Sequence, residues 1–373
     1  MKGIGLKNGS QLDTILGRSL DGELPGEGEL RFLLELTDPG DIGRLFQTAR
    51  QLRGRYFGDR VFLYGFLYFS THCRNNCLFC QFRRDNAALE RSRKTPAETV
   101  STARLIAGSG VHLIDLTMGE DPFYLERGED GLAELAGLVR NVRLETGLPV
   151  MISPGVIHER AAERLAAAGA DWYACYQETY SRVLFDGLRH GQSFGERLAA
   201  KRTARAFGLL VEEGLLCGAG ETSGELAASV CAMRPLDPDQ VRAMTYVPQR
   251  GTVLPRPSGS DRRRELQLLA VLRLVFPDRL IPASLDVEGL AGLGPRLAAG
   301  ANVVTSLVPP GRGLGGVANA SLDIGDARRT PEAIAPVLAG CGLHAAGLRD
   351  YLEWMKRRRG QGHDAPAVES TCG

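Results

Sequence analysis

No apolar stretch in the chain approaches the roughly 18 residues that a membrane-spanning helix needs, so a membrane role is not expected. The N-terminal text, MKGIGLKNGSQLDTILGRSL, has no apolar core of the kind a secretory signal carries. Neither sign of charge dominates. Lys and Arg total 45 against 44 Asp and Glu, a net charge of +1, which argues against a nucleic-acid-binding surface. Lysine itself is scarce: Lys2, Lys7, Lys94, Lys201 and Lys356 are the five, and 40 of the basic residues are arginine. With abundant Ala and Gly this reads as compositional bias, so a lone surface arginine carries little meaning. Cysteine is sparse too. Eight in 373 residues lies far below the density of a disulfide scaffold. A chain of this length builds a sufficient core without such staples. The expectation is a soluble, cytoplasmic protein of one large domain or two medium ones.

What the chain does have is a repeated alternation. Residues 28–57 read as helix, with Leu30, Phe32, Leu33 and Leu36, a Thr37-Asp38-Pro39-Gly40 break, then Ile42, Leu45, Phe46 and Ala49 at helical spacing. After this come eight short apolar runs, at 61–70, 111–119, 148–156, 170–178, 213–220, 241–249, 279–287 and 302–310. Runs of that kind suit strands buried on both faces. Helical text lies between them, one piece opening on the capped start Thr95-Pro96-Ala97-Glu98 and most ending at glycine. The pattern predicts an α/β fold, a (β/α)8 TIM-type barrel with an N-terminal helical extension. The divisions expected are 1–58 for the extension, 59–325 for the barrel, and 326–373 for C-terminal helices and a polar tail. A doubly wound open sheet is the alternative.

The cysteines are unevenly placed. Cys73, Cys77 and Cys80 lie in a C-x3-C-x2-C spacing directly after the first run, while Cys175, Cys217, Cys231, Cys341 and Cys372 are scattered and read as bystanders. In a barrel that loop stands on the face where active sites form. A structural zinc wants four ligands, commonly from two knuckles, and no second knuckle follows. Three thiolates suit a 4Fe–4S cluster with one iron left open. A zinc site completed by a remote ligand, or three unrelated buried thiols, is the bland reading.

The cysteine loop, with Phe79 just before its last cysteine, resembles that of the radical S-adenosylmethionine (SAM) enzymes. The resemblance implies a 4Fe–4S cluster held by Cys73, Cys77 and Cys80, with SAM chelated on the open iron and cleaved to a 5′-deoxyadenosyl radical. It also implies SAM contacts for Phe79, for Met118-Gly119-Glu120 after the second run, and for Ser153, Glu178 and Arg197. Gly214 to Glu221 is similar to the glycine-rich element beside the adenine.

A closer resemblance, carried by FLYFSTHCRNNCLFCQFRRDN, LIDLTMGEDP, YVPQRGT, PASLDVEG and GANVVTS, is to the 3-methylornithine synthases of pyrrolysine biosynthesis, in the biotin-synthase-like subgroup. It implies isomerisation of L-lysine to 3-methyl-D-ornithine by fragmentation and recombination of the carbon chain. No protein side chain then acts as acid, base or nucleophile, and a flavodoxin- or ferredoxin-type protein supplies the electron. Such a substrate needs an anion-binding group and acidic partners for two ammoniums. Asp115 on the second run, Arg242 on the sixth, and Ser284 with Asp286 on the seventh match the family's substrate-binding positions. Tyr64, Phe66, Tyr173 and Tyr246 are candidates to line the lumen. Biotin synthase is a rival, but no cysteine stands on the second or third run for its second cluster. The hydrogenase-maturation enzyme of the same subgroup, and a non-catalytic iron–sulfur or zinc module, are the other readings.

Overall fold

The computed structural model describes residues 3–255, 262–309 and 328–361. Eight parallel strands form its centre: β1 (Arg60–Ser70), β2 (Leu113–Met118), β3 (Val150–Ser153), β4 (Trp172–Ala174), β5 (Leu210–Cys217), β6 (Gln240–Thr245), β7 (Pro282–Ser284) and β8 (Val303–Leu307). Their order around the sheet is β6-β5-β4-β3-β2-β1-β8-β7. The seam between β6 and β7 is bridged by Val241 N–H donating to Leu280 O at 2.9 Å and Leu280 N–H to Asp239 O at 3.1 Å. The result is a nearly closed (β/α)8 barrel, as the alternation of runs and helices predicts. Each strand lies within its run except β1 and β6, which start one residue earlier, and β5, which starts three residues earlier. The glycines at the end of that run, Gly218 (φ 79°) and Gly220 (φ 109°), turn the chain out of the sheet.

Side-chain parity sorts each strand into lumen and mantle. In β1, Phe62 and Tyr64 point inward at the barrel floor, whereas Val61, Leu63, Leu67 and Phe69 join the mantle packed against the helices. Gly65 is on the mantle side, where a Cβ would fall 2.0 Å from Ile106 Cγ2; the helix Pro96–Ala107 packs that closely because no side chain intervenes. That helix opens with the expected cap, Thr95 and Glu98 satisfying each other's backbone N–H groups.

The floor is sealed by the C-terminal helix Leu348–Gln361. Trp354 stacks on Trp172 with ring centres 5.9 Å apart and planes inclined by 6°. Tyr351 and Tyr64 share a hydrogen bond of 2.8 Å between their hydroxyls. Tyr64 is therefore a floor residue and not part of a substrate cavity.

The helices Gly3–Leu20, Glu27–Leu34 and Pro39–Phe57 precede the barrel; the second and third pack on its outer helices, and the first packs on the third. Gln267 donates to the carbonyls of Leu33 (3.2 Å) and Leu36 (2.9 Å), and Arg53 to that of Leu297 (2.7 Å). The first of these helices is not anticipated by the sequence pattern. Residues 362–373, which hold most of the expected polar tail and Cys372, lie outside the described residues.

Candidate active site

The cysteine loop leaves β1 and is fastened on several sides. Arg74 N–H donates to Glu120 O, and Leu78 N–H to Leu188 O, both at 2.9 Å. Arg91 gathers the carbonyls of Thr71 (2.6 Å), Phe82 (2.9 Å) and Arg83 (2.5 Å). None of the three thiols is in a disulfide. Burial, and then the neighbouring thiols of Cys77 and Cys73, push the Cys80 thiol up to about 12, so the three lie close enough to act on one another. Cys73 Sγ accepts from Asn75 N–H at 3.4 Å, and Cys77 Sγ from Gln192 Nε2 at 3.0 Å and Arg189 Nη1 at 3.4 Å.

Behind the loop sits a layer of buried ions. Gly119 passes so close that a Cβ would meet His72 O at 2.3 Å. Glu120 accepts from Arg74 Nε (3.1 Å), Arg197 Nη1 (3.3 Å) and Val156 N–H (3.2 Å). Burial would raise its carboxyl, but Arg197, Asn75 and Arg74 outweigh that and hold it below the usual range. Arg197 Nε donates to Tyr176 O at 2.6 Å. Glu178 follows β4 in the left-handed region (φ 68°), held there by its N–H to Gly214 O (3.1 Å) and its carbonyl to Leu216 N–H (2.9 Å). Glu178 Oε1 pairs with Arg189 Nη2 at 2.8 Å, while its Oε2 is buried with no hydrogen-bond partner among the described residues.

Above the floor the lumen opens into a cavity of about 240 Å³. Phe79, Cys80, Ser153 and Glu178 line it, together with Asp115 on β2, Arg242 on β6, Ser284 at the end of β7 and Asp286 just beyond it. Asp115 accepts from Thr117 Oγ1 (2.9 Å) and Ser153 Oγ (3.4 Å) and has no cationic partner among the described residues. Its burial and the nearby Glu212 carboxylate push its carboxyl up to about 7. Arg242 spends Nε on Glu212 (2.7 Å) and Nη1 on Thr305 Oγ1 (3.2 Å), which leaves Nη2 toward the cavity. Asp286 carries an ion pair with Arg329 at 3.3 Å, and its N–H donates to Ser284 Oγ at 3.2 Å.

The radical SAM superfamily profile matches residues 67–230. The 3-methylornithine synthase of Methanosarcina acetivorans is 42% identical over 340 residues, which span 91% of this chain and 96% of that one. The chain belongs to the 3-methylornithine synthase family. A crystal structure of methylornithine synthase superposes with a TM-score of 0.85 at 41% identity, covering 91% of this chain and 99% of that one. The FeFe-hydrogenase maturase subunit HydE of Thermotoga maritima is 33% identical over 278 residues, 74% of this chain and 78% of that one.

As a member of this radical SAM family the protein is an enzyme that uses a 4Fe–4S cluster, SAM and a small-molecule substrate. Its residues fit those groups. Three mutually interacting thiols on one loop suit a cluster, which takes each thiolate on a separate iron. Among the described residues no three His, Cys, Asp or Glu side chains are arranged to hold a single metal ion. The orphaned Glu178 Oε2, in the wall of the cavity, is an acceptor waiting for a donor. Among the described residues no helix is long and apolar enough to cross a membrane.

All but one of the expected site residues fall into two groups. Eight line the cavity, while Cys73, Cys77, Gly119, Glu120 and Arg197 form the layer beside it, and Met118 packs into the mantle with Ile114 and Leu116. Of the aromatic candidates, Phe66 and Tyr246 line the cavity. Tyr173 does not: its parity sends it into the mantle, with its hydroxyl donating to Gly155 O at 2.5 Å. Sequence reading missed Glu212, Tyr176 and Arg189. Glu212 stands one residue before the apolar run that marks β5, and two before Gly214 on the lumen side. Parity extended backward along the strand would have found it.

Proposed function

We propose that the protein isomerises L-lysine to 3-methyl-D-ornithine, the first step of pyrrolysine biosynthesis. The observation that carries this reading is the charge pattern of the lumen: one carboxylate, Asp115, with no ion-pair partner among the described residues, and one guanidinium, Arg242, with a free edge. An α-amino acid with a second amine offers the complementary charges. The relatives' name adds that they are 3-methylornithine synthases.

Cys73, Cys77 and Cys80 would hold the cluster, with Phe79, Met118, Gly119, Glu120, Ser153, Glu178 and Arg197 around SAM. The bound pair supplies one-electron cleavage of a sulfonium and hence a radical that abstracts hydrogen from substrate. The protein's task is then to bind, orient and shield. Arg242 Nη2 takes the substrate carboxylate, and Glu212 and Thr305 keep the guanidinium plane from turning. Asp115 takes an ammonium, and Ser284 with Asp286 the other end of the molecule. Phe66, Tyr68, Tyr246 and Leu216 form apolar walls that exclude water from a reactive carbon centre. The electron comes from a flavodoxin- or ferredoxin-type protein, and the setting is the cytoplasm.

The test is anaerobic incubation of reduced, reconstituted protein with SAM and L-lysine. A product with the mass of lysine but the chromatographic behaviour of methylornithine is expected. SAM cleavage that leaves lysine untouched while another substrate is converted would overturn the assignment.

A further inference from the structure

Of the three thiols in the loop, Cys77 alone takes side-chain hydrogen bonds among the described residues. Its two donors come from the segment that follows the helix Arg182–Leu188, which Ser181 caps. Leu78 N–H on Leu188 O, at 2.9 Å, locks this segment to the cysteine loop, so the donors and the sulfur move as one body.

Arg189 is 5% exposed. Nη1 points at Cys77 Sγ (3.4 Å), while Nη2 donates to Glu178 Oε1 (2.8 Å) and to Tyr176 O (3.2 Å). The guanidinium carbon stands 5.1 Å from the centre of the Phe79 ring. The orientation of Gln192 is forced. Its Oε1 accepts from Arg189 Nη1 (3.3 Å) and from Arg197 Nη1 (3.4 Å), so the amide nitrogen has to face the sulfur, 3.0 Å away. Two arginines thus aim one amide at one thiol.

We propose that Arg189 and Gln192 are positioning residues that set the reduction potential of the cluster through hydrogen bonds to the Cys77 sulfur. The inference rests on the reading that Cys73, Cys77 and Cys80 hold a 4Fe–4S cluster. Reduction adds an electron whose charge spreads onto the thiolate sulfurs. N–H donors aimed at a sulfur stabilise that added charge and raise the potential. Arg189 contributes a positive charge as well, partly balanced by Glu178. Because the same guanidinium holds a SAM-facing carboxylate, whatever ligand reaches Glu178 also acts on the arginine beside the sulfur.

The experiment uses full-length protein reconstituted with iron and sulfide, without SAM or lysine. Cluster content is measured by iron and sulfide assay, and reduction by an EPR-monitored titration with dithionite. Gln192→Leu removes one donor. At a fixed ambient potential its ratio of reduced to oxidised cluster should fall about tenfold, which is about 59 mV for a one-electron couple. Arg189→Gln should shift it further in the same direction, and Arg189→Lys, which keeps the charge, less than Arg189→Gln. A merely structural role would lower cluster content and leave the potential of the remaining clusters unchanged. Gln192→Leu and Arg189→Gln proteins with full cluster content and the parent's potential would overturn the inference. If Arg189→Gln assembles no cluster, the Gln192→Leu shift decides it. A parent protein that assembles no 4Fe–4S cluster overturns the underlying reading instead.

Discussion

Glu212 Oε1 accepts the Nε–H of Arg242 at 2.7 Å inside the barrel, with the two side chains 0% and 8% exposed. Tyr176 hydroxyl (2.9 Å) and Gln240 Nε2 (2.6 Å) complete the carboxylate's partners. The arginine is fixed along one edge and open along the other, a geometry that depends on the planar fork. An ammonium on a flexible stem cannot serve both edges. Arg242→Lys should therefore raise the lysine concentration needed for half-maximal product formation by about tenfold or more, equivalent to about 1.4 kcal/mol. SAM affinity, measured by titration without lysine, should stay at the parent's value. An unchanged lysine dependence would remove Arg242 from the substrate site.

Asp115 gives the site a pH dependence with a definite sign. Burial and then Glu212 raise its carboxyl to about 7, from about 3.9 for an unfolded chain. The folded protein therefore favours the protonated form. This stabilising contribution is present below about pH 4 and is lost as the pH climbs through about 7. An ammonium ligand prefers the ionised form, so lysine binding should strengthen over the upper part of that same window. Asp115→Asn should flatten both trends. Denaturant midpoints and lysine binding to the SAM-loaded protein, each followed from pH 5 to 8, check them. A parent-like slope in the variant would mean another group titrates.

The barrel is legible in the sequence because strands buried on both faces leave continuous apolar runs, and those survive the arginine-rich composition. Parity was the weak point. Tyr64 and Tyr173 sit in apolar runs like those of Phe66 and Tyr246, yet one lies on the floor and the other in the mantle. Only the start of each strand decides between them. Asp115, Arg242, Ser284 and Asp286 end up around one cavity because inward-facing side chains of separate barrel strands converge on the lumen, so their order along the chain was informative. Arg189 was invisible for a compositional reason: among 40 arginines nothing in its neighbourhood marks it as buried. The Gly3–Leu20 helix escaped notice because its N-terminal half is rich in Gly, Lys and Asn, with little helical periodicity.

One of the five lysines is fully buried. Lys201, on the helix Phe194–Ala206, forms an ion pair with Glu213 on the mantle side of β5, both 0% exposed. Glu213 also accepts from Gln177 N–H (2.7 Å), Gly214 N–H (2.8 Å) and Tyr180 hydroxyl (2.9 Å). It thereby pins the backbone immediately before Glu178. Lys201→Met leaves that carboxylate buried without its cation and should destabilise the fold by about 3–5 kcal/mol. Adding Glu213→Gln should recover part of the loss, since an amide is far cheaper to bury than an uncompensated charge. Urea unfolding of the two single variants and the double variant measures the coupling. Strictly additive effects would show that the pair does not act as a unit.

Two glycine substitutions, chemically the same, should have opposite outcomes. At Gly119 a Cβ would stand 2.3 Å from His72 O and 2.8 Å from Cys73 Cβ, and the first of these is backbone that cannot swing aside. Gly119→Ala must therefore push the cysteine loop away from the end of β2. At Gly137, within the helix Gly128–Thr146, a Cβ meets nothing within 4 Å. Alanine there gains helix propensity, up to about 1 kcal/mol. The expected result is that Gly137→Ala unfolds at equal or higher denaturant with normal iron content, whereas Gly119→Ala loses iron and SAM affinity. Retention of both by Gly119→Ala would show that the loop tolerates displacement, and that its close seating on Gly119 is not what sets the geometry of the three thiols.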